Sequence, residues 1–149
     1  MPADRRALLL SVRPRYADLL LDGSKSVELR RVRPSVKPGA LVLIYASSPA
    51  RALVGSGRVH AIEAGGPAEI WCRHGSRTGV TPDEYDVYFE GATAAVAISL
   101  TGVQPLSRPT PLAELRARTG FRPPQSFRYL AAADTLRLGF PFGLETAGA

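Results

Sequence analysis

The chain has 149 residues, 45% hydrophobic and 21% charged, enough for one unstapled core that buries roughly 68–70% of the surface the unfolded chain exposes. Its single cysteine, Cys72, excludes an internal disulfide and a structural zinc site, and no run approaches the ~20 apolar residues of a membrane-spanning helix. The net charge of +6 is uneven: residues 1–60 hold eleven Lys/Arg against four Asp/Glu, and residues 61–149 hold eight against nine.

At the start of the chain, Arg5 and Arg6 precede only the short apolar run Ala7 to Leu10, soon interrupted by Arg13. That is not a secretory signal, so the cytoplasm is the expected location and no membrane partner is expected. Ala7 to Val12 is a continuous apolar run that suits a buried strand. Pro14 fits a first helical turn, Tyr16, Leu19 and Leu20 share a face, and Gly23 is the stop. Ser26 to Arg30 alternates as a strand with Val27 and Leu29 inward. Arg31 to Gly39 is a proline-broken loop. Leu41 to Ala46 and Leu53 to Ile62 read as two more strands, joined by the turn Ser47-Ser48-Pro49.

Further on, Pro67 to His74 reads as a helix ended by Gly75. Thr81-Pro82-Asp83-Glu84 has capping-box spacing and predicts a helix to about Phe89 with a stop at Gly91. Ala94 to Val103 is a long strand, and Thr110 is expected to cap a helix from Pro111 to Thr119, ending at Gly120. After Pro123 and Pro124 come the polar-aromatic stretch Gln125 to Tyr129 and a tail. No repeat or linker interrupts this order, so residues 1–149 are expected to form a single domain. Several strands with short helices between them, and no regular βαβ alternation, predict an α+β fold: a curled sheet or small barrel decorated by helices.

The most informative residues are Gly23, Lys25, Glu28 and Arg30, which form G-x-K-x-x-E-x-R between a helix stop and a strand. Glycine permits the reversing turn and a close backbone approach. Strand alternation puts Ser26, Glu28 and Arg30 on one face, and Lys25 at the strand entrance can swing across it. Lys25 is one of only two lysines in an arginine-dominated chain, which points to a use for a compact ammonium. The plain alternative is a solvated strand edge with an ordinary Glu28–Arg30 contact. The basic excess likewise favours a polyanion, nucleic acid above all, but base composition alone would also enrich Arg.

Other candidates carry less. His60 and His74 are not at metal spacing and have no carboxylate neighbours in sequence, so neither a metal nor a cofactor is expected. Trp71, Tyr85, Tyr88 and Phe89 have helical spacing, which makes most of them core. Arg116, Arg118, Arg122 and Arg128 would extend a basic surface, moderated by Glu114, with Arg116 and Arg118 expected on an exposed helix.

The chain resembles the ASCH domains, which belong to the PUA-like superfamily. The residues that carry the resemblance are Leu10-Ser11-Val12-Arg13-Pro14-Arg15-Tyr16-Ala17, the Gly23/Lys25/Glu28/Arg30 motif, Tyr45-Ala46-Ser47-Ser48-Pro49 and Val54-Gly55. Trp71, Tyr88-Phe89-x-Gly91 and Pro123-Pro124-Gln125-Ser126-Phe127 extend it. The resemblance implies a small PUA-like β-barrel of five or six strands, with a basic cleft between the sheet and the helix after the first strand. It implies that the cleft takes RNA, single-stranded nucleic acid or a modified nucleoside. Gly23, Lys25, Glu28, Arg30, Tyr45, Ser47, Ser48, Arg51, Gln125 and Ser126 would form the binding site. Arg51 and Lys25 would serve phosphates, Tyr45 stacking or hydrogen bonding, and Ser47 and Ser48 small donors. For Tyr45 the alternative is a strand aromatic with its hydroxyl at the rim, and for Ser126 a helix cap after Pro124.

Two function classes follow. The first is a nucleic-acid-binding module without chemistry. The second is an enzyme: a metal-independent ribonuclease, or an amidohydrolase acting on an acylated cytidine nucleoside. Lys25, Glu28, Tyr45 and Ser126 would then be catalytic, with Arg51 confined to electrostatics because a guanidinium stays protonated. The amidohydrolase pattern has Thr three positions after the Lys, where this chain has Glu28.

Overall fold

The computed structural model describes residues 6–140; Arg5 and the tail from 141 lie outside the described residues. The first strand, β1 (Ala7–Val12), is buried along its whole length. It leads into α1 (Pro14–Asp22), which has proline in its first turn and stops at Gly23 with φ +87°, a left-handed conformation that glycine adopts without a Cβ penalty. Then come β2 (Val27–Arg30), β3 (Leu41–Ala46) and β4 (Ala52–Gly65). The second half holds α2 (Pro67–His74), one 3-10 turn at Gly75–Arg77, α3 (Pro82–Tyr88) and β5 (Ala95–Pro111). It closes with α4 (Leu112–Thr119), β6 (Phe127–Leu130) and α5 (Ala132–Arg137).

The six strands form one sheet in the order β2-β5-β4-β3-β1-β6. The β1–β3 pair is parallel, with α1 and β2 in the crossover, and the other pairs are antiparallel. The sheet curls into a half-barrel decorated by five short helices, an α+β fold. Alternation along β1 and β3 divides the core in two. Leu8, Leu10, Val12, Val42 and Ile44 pack with Ala17 and Leu20 of α1 inside the curl. Leu9, Leu41, Leu43 and Tyr45 face the other way, onto Leu115 of α4 and Phe121. A third cluster joins Val27 and Leu29 to Ile70, Tyr85 and Phe89.

Close packing explains Gly55 in β4. A Cβ there would meet Leu21 Cδ2 at 2.5 Å and the Gln104 carbonyl at 2.8 Å, next to a register shift between β4 and β5. Only glycine lets α1 and β5 approach the strand this closely.

Several expected boundaries move. β5 does not stop near Val103 but runs through Pro105 and Pro109 to Pro111. Thr110 is therefore a strand residue paired with Leu53, and α4 is capped by Pro111 without a side-chain hydrogen bond. Ser126 caps no helix; it enters β6, which pairs with β1. The capping box at Thr81 and Glu84 forms as expected. His74 does have a carboxylate neighbour, Glu63, 2.7 Å from Nε2, because α2 folds back over β4.

Candidate functional site

The Lys25/Glu28/Arg30 motif is no solvated strand edge. β2 is an edge strand of the sheet, yet Lys25 is 2% exposed, Glu28 6% and Arg30 8%. The ammonium of Lys25 lies 3.1 Å from Glu28 Oε1, donates to the Thr78 carbonyl and sits over the Tyr16 ring. The other carboxylate oxygen, Oε2, accepts from Arg30 Nη2 at 2.9 Å. Arg30 Nη2 also donates to the Ser11 carbonyl at 3.1 Å, and Nη1 donates to Ser126 Oγ at 3.4 Å. One carboxylate thus holds two buried cations, leaving a net charge of +1 in the interior. Arg30 Nε is buried and has no hydrogen-bond partner among the described residues. A buried polar group without a partner is uncommon and invites an acceptor.

These side chains line a cleft of about 690 Å³ between α1, α3, β2 and the turn after β3. Ser11, Arg13, Ser47, Gln125 and Ser126 line it as well. Its far wall is α3, tied to α1 by an ion pair of Arg15 with Glu84 and by a hydrogen bond of 3.1 Å from the Tyr16 hydroxyl to Glu84. The Thr81 backbone N–H, and after it the Arg15 guanidinium, hold the Glu84 carboxyl down at about 2. Tyr88, 41% exposed, turns its hydroxyl inward to the Leu29 carbonyl at 3.4 Å. Burial pushes that phenol up, and the Arg30 guanidinium pulls it back in part.

The lining carries four cations, Arg13, Arg15, Lys25 and Arg30, against Glu28, Asp83 and Glu84. The lining is therefore basic by a single charge, and its polar groups suit a nucleobase or ribose as well as a phosphate. Much of the N-terminal charge excess lies outside it.

The other sequence candidates divide. Gly23 shapes the turn into the motif and does not line the cleft. Ser48, in a cis peptide with Pro49, and Arg51 lie beyond the lining on the same turn. Tyr45 points to the opposite face of the sheet, its ring 5.5 Å from Phe121. It stays next to the cleft, because its register partner in β1 is Ser11. The residue is 2% exposed. Burial pushes the Tyr45 phenol up, while Arg51 and Arg116 pull it back.

Arg116 lies exposed on α4, as expected, and its charge together with that of Arg51 reaches the Tyr45 phenol. Neither guanidinium has a carboxylate partner among the described residues, whereas Arg118 pairs with Glu114 at 3.2 Å. Arg51 is held at φ +48°, a conformation uncommon for a side-chain-bearing residue and concentrated at sites where geometry matters. Among the described residues, no group of three His, Cys, Asp or Glu is placed to hold a metal ion, and no helix is long and apolar enough to cross a membrane.

The ASCH domain profile matches residues 10–104. An ASCH domain-containing ribonuclease of Zymomonas mobilis is 35% identical over 136 residues, covering 91% of each chain. The crystal structure of ASCH from Zymomonas mobilis superposes with a TM-score of 0.86 at 34% identity, covering 91% of this chain and 95% of that one. A serine-to-alanine variant of the Zymomonas protein gives a TM-score of 0.86 at 32% identity, covering 93% and 97%. With the sequence profile matched from β1 into β5 and the fold shared along nearly all of its length, the chain belongs to the ASCH domain family.

Proposed function

We propose that this protein binds single-stranded RNA, seating one nucleotide in the cleft and holding the flanking phosphates along its rim. The observation that carries the reading is Arg30: a guanidinium buried in a cluster of net charge +1, with Nε unpartnered, in the wall of an open cleft. Burying a charge that lacks a full set of partners costs several kcal/mol, and an RNA group accepting from Arg30 offsets that cost. Gln125 and Ser126 can read base edges, Tyr88 offers an exposed ring for stacking, and Arg13, Arg51 and Arg116 serve phosphates. Glu28 acts as a positioning residue that orients Lys25 and Arg30. The relative named a ribonuclease supports RNA as the partner.

Fluorescence anisotropy with labelled single-stranded RNA, single-stranded DNA and duplex RNA tests this reading. Single-stranded RNA should bind most tightly, with a log–log salt slope of about −0.7 per phosphate neutralised. Absence of binding at low salt, or preference for the duplex, contradicts it.

A second reading, RNA cleavage, is favoured by the Tyr45 phenol, paired in register with Ser11 of the cleft wall and within the field of Arg51 and Arg116. Two cations flanking a phenol can stabilise the charge that develops on a phosphate when a 2′-hydroxyl attacks it. Incubation of labelled RNA with chelator and, separately, with added magnesium decides whether turnover occurs. Loss of turnover in Tyr45→Phe at retained binding assigns the step to the phenol. Deacylation of a nucleoside is the less favoured chemistry, because the Lys25 ammonium already donates to Glu28 and Thr78 and so is poorly placed as a proton acceptor.

A further inference from the structure

The loop from residue 31 to 40 runs from the cleft to the far end of the barrel along the gap between the edge strands β2 and β6. Its course is pinned where it leaves β2 and at its middle. Arg30 reaches Ser126 beside the cleft, and the Ser35 N–H donates to the Tyr129 hydroxyl at 2.7 Å farther along β6. Arg6 donates to the Ser35 carbonyl at 2.6 Å and stacks over the Tyr129 ring at 4.5 Å, and Pro34 is buried. On this fixed support stand three exposed cations, Arg31, Arg33 and Lys37. Arg31 and Arg33 donate only to the backbone carbonyls of Glu90 and Ile62 among the described residues. Arg33 and Lys37, with Arg6, Ser35 and Val36, line a second open pocket of about 470 Å³, which has no carboxylate among its described lining residues.

We propose that this loop is a second contact for the same RNA strand: a phosphate track that leads from the cleft to a docking point at Arg33 and Lys37. The inference rests on the reading of the cleft as an RNA site. Polyanion binding needs spaced cations on an ordered support, and the loop supplies them. β1 spans the distance from the Ser11 end at the cleft to the Arg6 end at the second pocket, about 17–20 Å at the usual rise per strand residue. A dinucleotide in the cleft cannot cover that length, whereas a decanucleotide can. The track therefore predicts an affinity that rises with RNA length until the far pocket is reached.

The test compares a labelled dinucleotide with a labelled decauridylate, on the native chain and on an Arg33→Ala/Lys37→Ala double variant. An Arg118→Ala/Arg137→Ala variant controls for the same loss of charge on surfaces away from the loop. The double variant should bind the decanucleotide about tenfold more weakly and with a salt slope smaller by about 1.4, at about 0.7 per cation removed. Its dinucleotide affinity and melting temperature should match the native chain. Equal weakening of both ligands, the same loss in the control, or no loss for the decanucleotide overturns the track. If the native chain binds RNA with an affinity independent of length, the track fails and the cleft reading stands. If it binds RNA of neither length, both fail.

Discussion

Arg30 in β2 and Ser126 at the entry to β6 are joined by a hydrogen bond of 3.4 Å between the two edge strands of the curled sheet. The same guanidinium takes one oxygen of Glu28 and the backbone carbonyl of Ser11. One side chain thereby links the two edge strands, neutralises half of a shared carboxylate and forms part of the cleft wall. Glu28 holds Lys25 with its other oxygen, so structure and site share the same three residues.

That sharing predicts an asymmetry in stability. Glu28→Gln leaves two buried cations without their anion and should destabilise by about 3–5 kcal/mol. Lys25→Met leaves a balanced Glu28–Arg30 pair and should cost clearly less. Urea unfolding followed by circular dichroism measures both variants, and equal losses would show that the pairs do not share Glu28 as described.

Glu84, held by the Thr81 N–H of the α3 capping box and then by Arg15 of α1, predicts a pH effect of known sign. The Glu84 carboxyl is held at about 2, below its ordinary 4.5, so its contribution to stability is fully present above pH 4.5 and is lost as pH falls towards 2. Melting temperature should decline across that window in the native chain, and less steeply in Glu84→Gln. Parallel declines would mean that other carboxylates set the acid limit.

If Arg51 and Arg116 serve flanking phosphates, Arg51→Ala and Arg116→Ala should each weaken single-stranded RNA binding and reduce the magnitude of the salt slope by about 0.7. Arg118→Ala, whose guanidinium already pairs with Glu114, should do neither. Similar effects from Arg116 and Arg118 would reduce α4 to diffuse surface charge.

Gly55→Ala should destabilise by about 1–3 kcal/mol, the range for overpacking, because the new methyl meets Leu21 and the Gln104 carbonyl. A neutral result would mean that α1 or β5 gives way without cost.

Elements with agreeing local signals are legible from the sequence. Apolar runs mark β1 and β3, Pro14 and Gly23 bracket α1, and Thr81 with Glu84 marks the start of α3. β5 was cut short at Val103 because Gly102, Pro105 and Pro109 read as breakers; tertiary pairing with β4 carries the strand past all three. β6 was missed because it is four residues long and defined by pairing with β1 rather than by a pattern of its own. The Lys25/Glu28/Arg30 cluster followed from strand alternation, but its burial did not, since it depends on distant segments: Tyr16 of α1, α3 and the Thr78 carbonyl after the 3-10 turn. The influence of Arg116 on Tyr45 does not follow from sequence spacing, because 71 positions separate the two.

The central claim is that position in the cleft, and not total charge, governs RNA binding. Anisotropy titration of one labelled single-stranded oligonucleotide against Arg30→Gln and Arg137→Gln tests it most directly, since each variant loses one positive charge. Arg30→Gln leaves the Lys25–Glu28 pair balanced and so should keep the fold, while Arg137 pairs with Asp134 on α5, outside the cleft lining. The account predicts at least a tenfold loss of affinity for Arg30→Gln, about 1.4 kcal/mol, and almost none for Arg137→Gln. Equal losses at unchanged melting temperature would contradict it.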